Sequence, residues 1–253
     1  MKRALLLAAL VSLSLGGCSS ADNQTNASCD NVSFYLDPDL ASGYRCEVVP
    51  QVSEEEAYQG IPTPEYVQIT LQGYTLDRSA EIRVVPTADL VEQATDHWST
   101  HPTDLQKLTA GGVGSIPVIE DPYGVPVFRG GSGWAFLSQV AVVAVDDGEG
   151  IRFLTEFHTG EPSPVDNNEL MYTFEGMTEN GEYWVEASLP ITHSDLSDDS
   201  GDSSLGWTWE EILADLDAYY DAVALHLNSQ TSDSFSPTID ALDALVASIT
   251  IAP

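Results

Sequence analysis

Basic side chains are scarce in this sequence. Eight Lys and Arg stand against 40 Asp and Glu, a formal charge of −32 with histidine neutral. A field of that sign repels phosphodiester backbones, so nucleic acid is excluded as a partner. Cysteine is scarce too, with three residues and no CxxC, which argues against a dithiol redox site. No stretch approaches the roughly 20 apolar residues that a spanning helix needs. What the chain does have is 43% hydrophobic residues. A disordered acidic tail lacks these, so the expectation is a folded body.

The N-terminus reads Met1-Lys2-Arg3 followed by an apolar run from Ala4 to Leu15. A positive start and a short apolar core form a secretory signal. The run closes on Leu15-Gly16-Gly17-Cys18. That segment resembles the lipobox of bacterial lipoproteins, whose signal is cut before a cysteine that carries the lipid. The resemblance covers the first 20 residues. It implies residues 1–17 as signal peptide, Cys18 as the lipidated residue, an extracytoplasmic address in the cell envelope, and the membrane as a partner through the lipid. In that family Ser19 after the cysteine favours the outer membrane, where there is one. Residues 18–28, small and Asn-rich, read as a tether. Loss of residues 1–17 takes Lys2 and Arg3 and no acid, leaving 6 basic residues against 40 acidic, or −34. The cysteines that remain, Cys29 and Cys46, form an even pair in an oxidising compartment and are expected to make a disulfide.

Residues 29–253 read as a single α+β domain. Alternation predicts strands over Tyr66–Leu71 and Glu81–Val85. Thr87 looks like the N-cap of a helix that His101-Pro102 ends. Residues 110–133 hold many glycines and prolines and read as a long loop. Trp134–Val145 and Ile151–His158 read as strands around the turn Asp146–Gly150. Glu169–Glu175 and Glu182–Pro190 form a second pair around Asn180-Gly181. Connections this short make the strands antiparallel. In the second pair, alternation predicts one buried face. Residues 192–206 read as an exposed acidic loop. Thr208-x-x-Glu211 is a capping box opening one long helix that turns Trp209, Ile212, Leu213, Leu216, Tyr219, Tyr220, Val223 and Leu227 inward. A last helix is expected to start at Pro237 with Ile239, Leu242, Val246 and Ile249 inward. The architecture is an antiparallel sheet with helices packed on one face.

Two further resemblances follow from quoted segments. Ile151-Arg-Phe-Leu-Thr155, Asn167 to Gly176, Tyr183-Trp184-Val185 and Leu189-Pro190-Ile191 together resemble a group of uncharacterised envelope lipoproteins, over residues 134–193. The ending Ile239–Ile251 is similar to the last helix and strand of Mog1/PsbP-like α/β/α sandwiches. Most of those are non-catalytic binding or assembly factors.

No complete catalytic set is present. Gly130-Gly131-Ser132-Gly133-Trp134 has tryptophan where a nucleophile elbow needs its last glycine. His97 and His101 lie four apart, a helical spacing at which two imidazoles share a metal. Trp98 replaces the glutamate of HExxH, and only Asp96 lies beside them. His158, His193 and His226 stand alone and read as structural or solvated. Asp195, Asp198, Asp199 and Asp202 offer oxygen ligands for calcium. The spacing fails the EF-hand pattern, because its glycine comes one place late and Gly206 occupies the bidentate glutamate position. No other cofactor is expected. The favoured function is a non-catalytic, lipid-anchored envelope protein that binds a small molecule or an envelope protein. The alternative is an extracytoplasmic hydrolase using carboxylates, or a metal near His97 and His101, under the 110–133 loop. The charge itself reads as adaptation to a salty medium, where screening relieves self-repulsion.

Overall fold

The computed structural model describes residues 25–56, 62–93, 100–119, 125–128, 133–158, 163–199 and 204–252. Its fold is α+β, built on one antiparallel sheet. Three strands open the chain: β1 (Thr25–Cys29), β2 (Val32–Leu36) and β3 (Gly43–Val49). Next come β4 (Tyr66–Gln72), β5 (Glu81–Pro86), α1 (Thr87–Gln93) and α2 (His101–Thr109). The middle holds β6 (Gly133–Trp134), β7 (Ser138–Val145), β8 (Gly148–Thr155), β9 (Phe157–His158), β10 (Met171–Met177), β11 (Tyr183–Pro190) and β12 (Thr192–His193). The chain ends with α3 (Trp209–Ala214), α4 (Leu216–Asn228), β13 (Phe235–Ser236), α5 (Ile239–Ala247) and β14 (Thr250–Ile251). The main sheet runs β3-β4-β5-β11-β10-β8-β7, every neighbour antiparallel. A small sheet β1-β2-β14 lies beside it. Among the described residues no helix is long and apolar enough to cross a membrane.

The period of two along each strand sorts the core into two clusters. Tyr172, Phe174, Val185, Ala187 and Leu189 point to one face, where they meet Ile212, Tyr219, Val223, Leu227, Leu242 and Val246 of α3, α4 and α5. The helices expected to pack on the sheet do so here. Ile151, Phe153, Met177 and Trp184 point to the other face and meet Leu90 of α1, Leu105 of α2, and Val125, Val127 and Phe128. Short helices and coil therefore cover the second face. That explains why every residue of β10 is buried, Thr173 and Glu175 included, where alternation alone predicts one wet face.

Several boundaries differ from the sequence reading, each for a local reason. Residues 25–28, expected as tether, begin β1 and pair with β2, with Ala27 and Cys29 turned inward. Cys29 and Cys46 form the expected disulfide, Cα–Cα 5.4 Å, joining β1 to β3. Pro102 opens α2 rather than closing a helix; proline suits the first turn because no N–H is needed there. Strand β8 runs through Gly148 and Gly150, leaving Asp146-Asp147 as the turn. A Cβ on Gly150 would stand 2.4 Å from the Glu175 carbonyl oxygen, so close approach of β10 requires glycine here. The long helix breaks at Asp215, which leaves helical geometry and caps the Ala218 N–H with its carboxylate. The break rotates α3 out of phase, and Trp209 and Leu213, expected inward, are exposed. Helix α5 starts after Pro237, with Thr238 as its cap.

Candidate functional site

A cleft of about 620 Å³ lies at the β7 edge of the sheet. Its volume falls in the range of small-ligand sites. One wall is the chain from Trp134 to Leu137 with Gln139 and Val140. The opposite wall is a stripe of α4: Asp217, Tyr220, Asp221, Ala224 and Asn228, spaced three and four apart as one helix flank requires. Ile116, Pro117 and Ile119 close the third side. Phe136 and Tyr220 meet with ring centroids 6.4 Å apart. Ile116, in the lining, leaves 78% of its surface exposed and its neighbour Val118 leaves 84%, an apolar edge that solvent alone does not favour.

A β-bulge creates the opening. The register between β7 and β8 shifts between Ser138 and Ala141, and Gln139 sits at φ 52. Bulges bend an edge strand and re-aim its side chains. Here the bulged Gln139 turns onto the C-terminal end of α4. Its backbone N–H donates to Asn228 Oδ1, and its Nε2 donates to the Leu227 carbonyl at 2.7 Å and the Gln230 carbonyl at 3.0 Å. The Leu227 carbonyl also accepts the Gln230 N–H at 3.1 Å, so this turn bond and the Gln139 side chain meet at the end of α4, and the side chain ties it to β7. Arg152 Nη1 donates to the Gln139 carbonyl. Arg152 also pairs with Asp243 of α5 at 3.2 Å, and Asp243 accepts the buried Tyr172 hydroxyl at 2.9 Å. Burial raises the Asp243 pKa, with Arg152 and the Tyr172 hydrogen bond pulling it down. The wall is therefore held from beneath by a charged network.

The cleft has aromatic and aliphatic walls, two carboxylates on one flank of α4, and no Lys or Arg among the described residues that line it. A smaller cleft of about 410 Å³ between α2 and the Asp147–Glu149 turn is also acidic.

The sequence-predicted residues fall as follows. Cys18, His97 and Asp202 lie outside the described residues. His101 starts α2 with its ring 6.4 Å from that of Trp184, on the face of the sheet away from α4. It joins no three-ligand group among the described residues. Asp198 Oδ1 accepts from Asn167 Nδ2 at 2.9 Å, and the Asp199 backbone N–H donates to Ser197 Oγ at 3.0 Å. Asp195 instead pairs with His226 Nε2 at 3.0 Å and lies 4.0 Å from His193 Nδ1.

His193 is therefore neither alone nor solvated; it is 2% exposed, with its ring tilted against that of Phe235 at 4.9 Å between centroids. Burial lowers its pKa, which the Asp195 carboxylate partly offsets, so neutral imidazole is favoured. Sequence spacing did not reveal this meeting, since 33 positions separate His193 from His226. The Asn167 side chain holds the His193 backbone in place. Its Oδ1 accepts the His193 N–H at 2.9 Å, and its Nδ2 donates to the His193 and Leu196 carbonyls at 3.2 and 3.0 Å.

Compared with protein-family models, curated proteins and solved structures, the chain has no significant match.

Proposed function

We propose that this chain is a lipid-anchored protein of the cell envelope, extracytoplasmic and on the outer membrane where the cell has one. In this reading its role is non-catalytic: it binds a small cationic amphiphile in the α4 cleft. One observation carries the ligand chemistry. Trp134 and Phe136 supply an apolar and π-rich wall, and Asp217, Tyr220 and Asp221 face it from α4, with no Lys or Arg among the described lining residues. Aromatic faces attract cations, and carboxylates at a low-dielectric wall strengthen that preference. An apolar body with an amine or quaternary ammonium head satisfies both halves.

The cleft is tested with decyltrimethylammonium below its micellar concentration, following tryptophan emission. Native protein is expected to show a saturable blue shift. Ala224→Phe fills the cleft and is expected to weaken binding at least about tenfold, or 1.4 kcal/mol. Identical titrations of the two proteins contradict the cleft as the site. The anchor is tested separately. Labelled palmitate is expected to enter the native chain in a bacterial host and to be lost in Cys18→Ala; label that survives the substitution sinks the address.

A further inference from the structure

Among the described residues, one group brings three metal-type ligands together: His193, Asp195 and His226, whose ligand atoms all lie within 4.8 Å of one another. The distances are close to what a small divalent ion needs. Nitrogen and oxygen ligands about 2.0–2.2 Å from zinc in a tetrahedral set stand roughly 3.3–3.5 Å apart. Here His226 Nε2 lies 3.0 Å and His193 Nδ1 4.0 Å from Asp195 Oδ2. Asp195 has room to adjust, since half its side chain is exposed.

The scaffold around the group is fixed. His193 is locked in β12, paired with Phe235 of β13, and bonded through its backbone to buried Asn167. His226 sits in the last turn of α4, where the helix carbonyls favour a cation. Gln230 Nε2 donates to the His226 carbonyl at 3.3 Å, bracing that turn. The two imidazole rings meet edge-on with centroids 5.8 Å apart. Among the described residues no Lys or Arg pairs with Asp195; its ion-pair partners are the two histidines.

His193 Nδ1, the ring nitrogen nearer Asp195, accepts the Asp195 N–H at 3.2 Å, a weak bond that an ion at this nitrogen replaces. Two imidazoles and one carboxylate leave coordination positions open, the pattern of zinc and of other late divalent ions rather than of calcium.

We propose that His193, Asp195 and His226 form a binding site for a divalent transition ion of the zinc type. The site is independent of the cleft, because His226 and the cleft stripe lie on opposite flanks of the buried face of α4. The ion ties the turn after β12 to the end of α4.

The test uses the full-length chain in detergent, with zinc competed against a chromophoric chelator at high salt and millimolar magnesium to suppress loose carboxylate binding. Native protein is expected to bind one zinc equivalent. His226→Gln and Asp195→Asn, both at exposed or half-exposed positions, are each expected to weaken it at least about tenfold. His101→Gln is expected to bind as native. Cobalt is expected to give a visible absorption band in native protein that His226→Gln loses, while circular dichroism of the metal-free proteins coincides. The proposal is overturned by absence of saturable binding, by unchanged affinity in the two ligand variants, or by loss of the site in His101→Gln.

Discussion

Glu156→Gln is expected to stabilise the protein by roughly 2–5 kcal/mol at pH 8 and to leave it nearly unchanged at pH 4. Glu156 follows β8 and is fully buried. Burial pushes its pKa up to about 9, helped by the Asp166 and Glu169 carboxylates and opposed by the Asp166 N–H and Arg78. The folded protein thus holds a proton on Glu156 that the unfolded chain releases above about 4.5. Stability from this group is complete below about pH 4.5 and is lost progressively as pH rises toward 9. Glutamine keeps the oxygen that accepts the Asp166 N–H at 2.7 Å and has no proton to lose. General charge repulsion also grows with pH, but it is common to both proteins and cancels in their difference. The measurement is denaturant unfolding of both proteins across pH 4–9. Curves that converge at low pH and separate at high pH are expected; parallel curves contradict the buried, protonated acid.

Arg83→Met is expected to cost about 3–5 kcal/mol, because removing one member of a buried ion pair strands the other charge. Arg83 Nη1 donates to Glu186 at 3.1 Å and Nη2 to Glu81 at 2.7 Å, on the sheet face away from the long helices. Glu186 is 1% exposed and Arg83 18%. The guanidinium also stands 5.7 Å over the Tyr66 ring, so its loss removes packing as well. For a domain of this size the midpoint should fall by roughly 2–4 °C per kcal/mol. Adding Glu186→Gln to Arg83→Met is expected to recover part of the loss, since the second change removes the stranded charge. A single-variant loss under about 1 kcal/mol, or no recovery in the double variant, shows the network to be weakly coupled.

The strands were the most legible part of the sequence. Tyr66–Leu71 and Glu81–Val85 have period-two patterns, and turn residues mark the two hairpins of the middle. The Thr208–Glu211 capping box is likewise present, both halves formed. The covering of the second face was not legible, because it comes from short helices and coil whose contribution is a few side chains each. Leu90, Leu105 and Phe128 show no common pattern in sequence, yet they bury Trp184. The break at Asp215 was hidden for a different reason. The apolar spacing continues across it, and only the local competition of an aspartate for backbone N–H groups stops the helix.

The candidate sites show the same division. Asp195 was readable as a cation ligand by residue type. Its histidine partners were not, because one lies in a two-residue strand and the other a helix away. The cleft was foreshadowed by the long 110–133 segment, part of which lines it. Its opening depends on the bulge at Gln139, a left-handed residue that is not glycine and so carries no sequence signal. The acidic stripe on α4, which the charge of the chain disguises as ordinary solvated surface, becomes specific only because aromatic side chains face it.

Charge selectivity at the cleft tests the central reading most directly. Titration calorimetry would compare decyltrimethylammonium with decanoate and decyl maltoside, each below its micellar concentration, on native protein and on Asp217→Asn/Asp221→Asn. Native protein is expected to bind the cation at one site, at least about tenfold more tightly than the neutral or anionic chain. The double variant is expected to lose that preference while keeping the binding contributed by the apolar wall. Equal affinity for all three probes in native protein, or a cation preference that survives the double substitution, would contradict a cationic ligand for this cleft.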